Sequence, residues 1–275
     1  LNAIEAYYAA NNELVGTISS GYFKSATLRS IDFSGNALSG GFSADISKDS
    51  NLFSINFASN FLDGSIPSQI KNIAGLTTLN IESNKFSGPF PASLYTLPLT
   101  ELSIGGNELT GTIPGNLTGI STLTSISLGP NLFIGDIPTN LSELTGLKKL
   151  SMVGIPDMTG RLPASYGLNL TDLVELSVAD TSVGGDIPYQ YTELTNLETL
   201  RLSNNELRGR IPPQLGLLSN LSKYFSPSTV ALFVTLIIFV SKIDVFVYHL
   251  SFVANTAGSC SKLFYTPPQP QFWNA

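Results

Sequence analysis

Few side chains in this 275-residue sequence could carry out covalent or metal chemistry. Cys260 is the lone cysteine and His249 the lone histidine, so an internal disulfide, a multi-cysteine metal site and a paired-histidine site are all ruled out. The many serines lack a histidine base, because His249 lies outside the stretch in which they recur. Asp180 and Asp186 border one loop, and two acids alone are more often solvated than catalytic. No cofactor and no metal are implied, and the sequence reads as that of a non-enzymatic protein. Lys plus Arg number 14 against 20 Asp plus Glu, a net charge of −6, which suits a phosphate-neutralising surface poorly and argues against nucleic acid as a partner. Binding chemistry remains, and it needs elements that hold polar side chains in a defined array.

Those elements repeat. Gly16, Gly40, Gly64, Gly88, Gly111, Gly135, Gly160, Gly185 and Gly209 follow one another at intervals of 23–25 residues, each with an apolar residue two positions on. In seven of the nine turns a proline comes next, at 67, 91, 114, 138, 163, 188 and 212. Upstream of each glycine lies a short strand-like run, as in Leu197, Leu200 and Leu202, closed by Asn205 and Leu207. Asparagine holds the same phase at Asn12, Asn36, Asn60, Asn84, Asn107, Asn131 and Asn205, where a buried amide can serve the backbone of adjacent turns. Thr181 takes that place in the eighth turn. In the seventh, Met152–Gly160 carries an extra residue around Ile155 and Pro156, which predicts a local irregularity. A turn with one apolar face cannot bury it alone, so the turns must stack into a solenoid. At about 4.8 Å per strand, nine turns separate the first and last strands by roughly 38 Å. The 43% apolar content is enough to fill such a core.

The pattern, seen in LTNLETLRLSNNELRGRIPPQL over 194–215, resembles the plant-type leucine-rich repeats, and it covers residues 1–224. The resemblance implies an α/β-type leucine-rich-repeat solenoid, a right-handed coil with a parallel β-sheet on its concave face and about nine repeats of 23–25 residues. It also implies a role like that of receptor ectodomains or of secreted inhibitors of pectin-degrading enzymes, whose partners often bind the strand face. The expected partner is therefore a protein, peptide or glycan, met in an extracellular or other extracytoplasmic compartment. The cysteine-paired caps common in that family are absent, and residue 1 already lies inside a repeat. The expectation is that an N-terminal part is missing or that another chain shields that end. No kinase signature follows the repeats.

The period-two rule places two rows of side chains on the open strand face. One row is Tyr8, Asp32, Asn56, Asn80, Ser103, Ser127, Ser151, Ser177 and Arg201; the other contains Glu101, Lys149 and Glu175 among small polar residues. The candidate ligand contacts are Asp32, Asn56, Asn80, Glu101, Ser103, Ser127, Lys149, Ser151, Glu175, Ser177 and Arg201. Two readings of this face stand: a strip for closely apposed polar matter, or a solvent-facing filler on a scaffold that works elsewhere. Glu101 and Glu175 are three turns apart, roughly 14 Å, too far for the paired carboxylates of a glycosidase. Asp32 and Tyr8, on neighbouring turns, are expected to share a surface hydrogen bond.

Sequons at Asn116, Asn140, Asn169 and Asn220 all fall after the glycine step, so glycans there would leave the strand face clear. Beyond the repeats, residues 225–254 are strongly apolar, and the run 229–254 is long enough for a membrane-spanning helix. Lys242 and Asp244 are costly at its centre, which leaves a solenoid cap, a docking contact with a partner helix, or a poorly ordered segment as alternatives. Residues 255–275 form a proline- and aromatic-rich tail. The alternative function is accordingly a structural scaffold subunit of a larger assembly, docked into membrane or protein through this apolar segment.

Overall fold

The computed structural model describes residues 4–221, and the sequence expectations for 222–275, including His249, Cys260 and the apolar run, lie outside the described residues. The described chain is a stack of coils. Each contributes one short strand to a nine-stranded parallel sheet whose spatial order follows the sequence order. The strands are Ala6–Tyr8, Ser30–Asp32, Ser54–Asn56, Thr78–Asn80, Glu101–Ser103, Ser125–Ser127, Lys149–Ile155, Glu175–Thr181 and Thr199–Arg201. Their middle residues point inward: Ile31, Ile55, Leu79, Leu102, Leu150 and Leu176 are fully buried. Consecutive turns supply the two halves of one continuous core, and burying each such side chain contributes about 1.5–3 kcal/mol. A phenylalanine layer joins the first three turns, with Phe23 stacked on Phe42 at 5.0 Å and Phe33 on Phe57 at 5.9 Å.

A second parallel sheet, not foreseen from the sequence, runs along the flank of the stack. It has seven strands, Val15–Gly16, Ala37–Gly41, Phe61–Gly64, Lys85–Pro89, Glu108–Thr112, Leu132–Asp136 and Met158–Thr159. The glycine step explains how one turn feeds two sheets. All nine phased glycines take a positive φ, between +74° at Gly64 and +94° at Gly16, a region that side-chain-bearing residues avoid. The proline then fixes an extended residue, as at Pro67 with φ −71°, and leads into a short helical turn such as Ser68–Asn72 or Ala92–Thr96 on the opposite side.

The asparagine ladder is present, and its geometry is uniform. Asn84 accepts from the backbone N–H of Leu62 in the preceding turn at 3.0 Å, and its amide donates to the carbonyls of Phe57 at 2.9 Å and Ile81 at 3.1 Å. Asn36, Asn60, Asn107 and Asn131 repeat this arrangement, each accepting one N–H from the turn before. Asn205 accepts from the Thr181 N–H at 3.2 Å, and the Thr181 hydroxyl in turn accepts from Val183 N–H at 3.2 Å. Asn12 departs from the ladder. It is exposed, and its amide donates to Ala9 and Ala10 of its own turn.

The irregular seventh turn resolves as extra strand. Where asparagine is missing, Lys149–Ile155 and Glu175–Thr181 keep pairing through Met152 with Val178, Val153 with Ala179 and Ile155 with Thr181. Backbone hydrogen bonds there do the work that a side-chain amide does elsewhere. The flanking sheet breaks beside this region: Gly184–Gly185 pairs with Glu206–Leu207 as a separate ribbon, and a single bridge, Arg161 to Gly184, links it back.

Candidate functional site: the open face of the nine-stranded sheet

The outward rows stay in register without a slip. Tyr8 pairs with Asp32, Asp32 with Asn56, Asn56 with Asn80, Asn80 with Ser103, and the series continues through Ser127, Ser151 and Ser177 to Arg201. The second row runs equally through Ser30, Ser54, Thr78, Glu101, Ser125, Lys149, Glu175 and Thr199. The inward leucines enforce this, since a slip of one residue would turn them into solvent.

Each candidate contact therefore lies on one face, with differing access. Glu101, Lys149 and Arg201 are exposed, while Asp32, Asn56, Asn80, Ser103, Ser127, Ser151 and Glu175 are half-buried. Ser177 is a correction. It holds its place in the row but is only 1% exposed, and its hydroxyl donates to Glu175 Oε1 at 3.3 Å. That leaves no surface for a ligand to touch.

Asp32 is the second correction. Its Oδ1 accepts from the Ser34 backbone N–H at 2.9 Å and from the Ser34 hydroxyl at 2.6 Å, rather than from Tyr8. Asn56 and Asn80 do the same with the N–H groups of Ala58 at 3.2 Å and Glu82 at 3.1 Å. These local turns fix the orientation of three successive side chains, because only an oxygen can accept from a backbone N–H. The free ends that remain are a carboxylate oxygen at Asp32 and amide NH2 groups at Asn56 and Asn80.

A shallow depression of about 420 Å³ lies over the first five turns. Asp32, Asn56, Asn80, Glu101 and Ser103 line it, and so do Tyr8, Ser30, Ser54, Phe53 and Thr78. Phe53 was missed by the two-row reading, as it sits two positions before the inward Ile55, yet it is 46% exposed and faces the depression. An aromatic residue at a position where Thr77, Thr100 and Thr124 stand in later turns is the signal that could have found it. Those threonines bond backward along the stack, Thr100 Oγ1 to Thr77 O at 3.1 Å for instance, whereas Phe53 offers only apolar surface. Beside the depression, burial raises the carboxyl of Glu82 above the ordinary glutamate range.

The sequon asparagines stand on the far side from these rows. Asn116 and Asn140 lie in the helical turns Gly115–Gly119 and Thr139–Glu143, Asn169 ends the helix Ala164–Asn169, and all are exposed. Asn220 is exposed too, but its amide already donates to Thr195 O at 3.0 Å. Among the described residues no group of three or more His, Cys, Asp or Glu could hold a metal ion, and no helix is long and apolar enough to cross a membrane.

Stacked coils with a continuous core, a phased asparagine ladder and an uncovered parallel-strand face define a repeat protein of the solenoid class. The Leucine Rich Repeat family model matches residues 75–97, 98–120 and 196–218. The chain is a leucine-rich-repeat protein of the plant type. No curated protein matches it. Among solved structures it is similar to the Arabidopsis receptor kinase HAESA, in complex with the peptide hormone IDA and a co-receptor, at 33% identity and TM-score 0.76. That likeness covers 79% of this chain and 37% of the other. A TDR receptor is similar at 27% identity and TM-score 0.76, over 80% of this chain and 38% of its own. The plant peptide hormone receptor RGFR1, in complex with RGF2, is similar at 28% identity and TM-score 0.64, over 77% and 37% of the two chains. The chain thus spans well under half the length of each of these receptors.

Proposed function

We propose that the chain is a non-enzymatic recognition module that binds an extended peptide or protein segment across the open face of the nine-stranded sheet. The observation that carries this reading is the unbroken register of two outward polar rows over nine strands. An extended chain of about 12 residues spans roughly 40 Å, close to the roughly 38 Å that nine turns provide. The likeness to receptors solved with peptide hormones supports the same reading. Contacts are assigned to Asp32, Asn56, Asn80, Glu101, Ser103, Ser127, Lys149, Ser151, Glu175 and Arg201. The module is placed on the extracytoplasmic side, with glycans at exposed Asn116, Asn140 and Asn169 rather than at the engaged Asn220. Attachment through 229–254, as a membrane span or a docking segment, belongs to the same proposal.

The test is panning of a displayed random dodecapeptide library on the full chain. Peptides should be enriched, and reversing both charges of the neighbouring pair, Lys149→Glu with Glu175→Lys, should weaken their binding at least about tenfold. Reversal of Lys71, exposed on the helical turn Ser68–Asn72, should leave binding unchanged. Equal effects from the two surfaces would sink the assignment.

A further inference from the structure

The depression over the first five turns has a chemical polarity of its own. Its charged lining residues are Asp32 and Glu101, both acids. Arg29, the nearest cation in sequence to Asp32, is not among the lining residues and sits 3.8 Å from the Glu5 carboxylate in a mostly exposed pair. The cations of this face, Lys149 and Arg201, stand two and four turns beyond Glu101 in register. Lys148 precedes Lys149 in the same seventh turn. Glu175 stands in the turn between Lys149 and Arg201, so that end of the face is mixed in charge, whereas the charged lining of the depression is acidic alone.

The geometry around Asp32 narrows the occupant. Tyr8, 69% exposed, is level with Asp32 in the preceding turn, while Phe53, 46% exposed, stands in the following turn level with Arg29, three residues before Asp32. Both rings line the same depression as the carboxylate. A carboxylate beside an exposed aromatic ring suits a guanidinium or an ammonium on an apolar stem, which gains an ion pair from the acid and face contact from Tyr8. Beyond it, Asn56 and Asn80 have their oxygens tied to backbone N–H groups, so both present donors, one turn apart, to whatever lies above. Donors in that place suit the carbonyls of an extended backbone.

We infer that the first five turns form a cation-selective subsite: they seat a Lys or Arg side chain of an extended peptide at Asp32, beside Tyr8, with the peptide carbonyls on Asn56 and Asn80 and a second positive group toward Glu101. This rests on the peptide-binding reading above and adds to it the charge of the ligand.

The same panned dodecapeptides test it, now through the composition of the enriched pool and through two variants that preserve the local fold. Asp32→Asn keeps the oxygen that accepts from Ser34, and Asn56→Asp keeps the one that accepts from Ala58, so neither should shift the thermal unfolding curve. The enriched pool should exceed the input library in Lys and Arg. Asp32→Asn combined with Glu101→Gln should weaken a cationic peptide by roughly tenfold, a difference that added salt should erase, and Asn56→Asp, which puts an acceptor in place of the donor toward the peptide carbonyl, should weaken it further at high salt. Enrichment of neutral or acidic peptides that still respond to the Lys149 and Glu175 reversal overturns the cation subsite while leaving peptide recognition standing. No enrichment, or enrichment indifferent to every substitution on this face, overturns both.

Discussion

At the scale of single residues, the asparagines show how one side-chain type takes different energies from its surroundings. Asn84 satisfies a buried N–H and two buried carbonyls from its own and the preceding turn, and removing it leaves all of them without that partner in the interior of the stack. Asn84→Ala should cost about 3 kcal/mol in denaturant unfolding. Asn12→Ala, at an exposed position whose amide donates within its own turn, should cost less than about 0.5 kcal/mol. Comparable losses at the two sites would mean that the ladder is not what stiffens the stack. Ser177 carries the matching lesson for the open face. Period-two alternation gives its direction, but its burial beside the hydrogen-bonded Glu175 is something no spacing rule reports.

At the scale of elements, glycine serves two unrelated ends. Gly64 has open space around it and a φ of +74°, so its role is conformational. Gly129 lies where a Cβ would collide with the carbonyl oxygen of Val153 in the next turn, so its role is to let two turns approach. Gly64→Ala should therefore cost about 1–2 kcal/mol, the ordinary penalty of the left-handed region. Gly129→Ala should cost about 4 kcal/mol or more, because backbone has to move, and hydrogen-exchange protection should fall first in Lys149–Ile155. A smaller loss at Gly129 than at Gly64 would contradict this division. The phased glycines were visible in the sequence as a period. That they turn the chain into a second sheet was not, since the strands of that sheet pair between turns and leave no alternation signal longer than a few residues.

At the scale of the whole molecule, each described turn touches its neighbours, so the stack should tolerate the loss of one complete period and little else. Deleting residues 108–131 joins Asn107 to Leu132 in phase. That variant should fold, unfold cooperatively at lower denaturant, and shorten by about 4.8 Å in solution scattering. Deleting 12 residues from the same place puts leucines on the solvent side and should abolish cooperative unfolding. Folding of both variants alike would show that the phase of the repeat is not what builds the core.

Period, strand register, core residues and the amide ladder were all legible in the sequence, because each is a nearest-neighbour property of a chain whose turns repeat every 23–25 residues. Tyr8 and Asp32 could be put side by side on that basis, and so could Lys149 and Glu175. Three features required the tertiary structure: the flanking sheet, the long strands that replace the missing asparagine at Ile155, and the depression where Phe53 joins Asp32 and Tyr8. Their common cause is that side-chain access and lateral pairing depend on what the adjacent turns present at the same level. A period fixes where a residue stands in its own turn, whereas the shape of the surface is a sum over three turns at once.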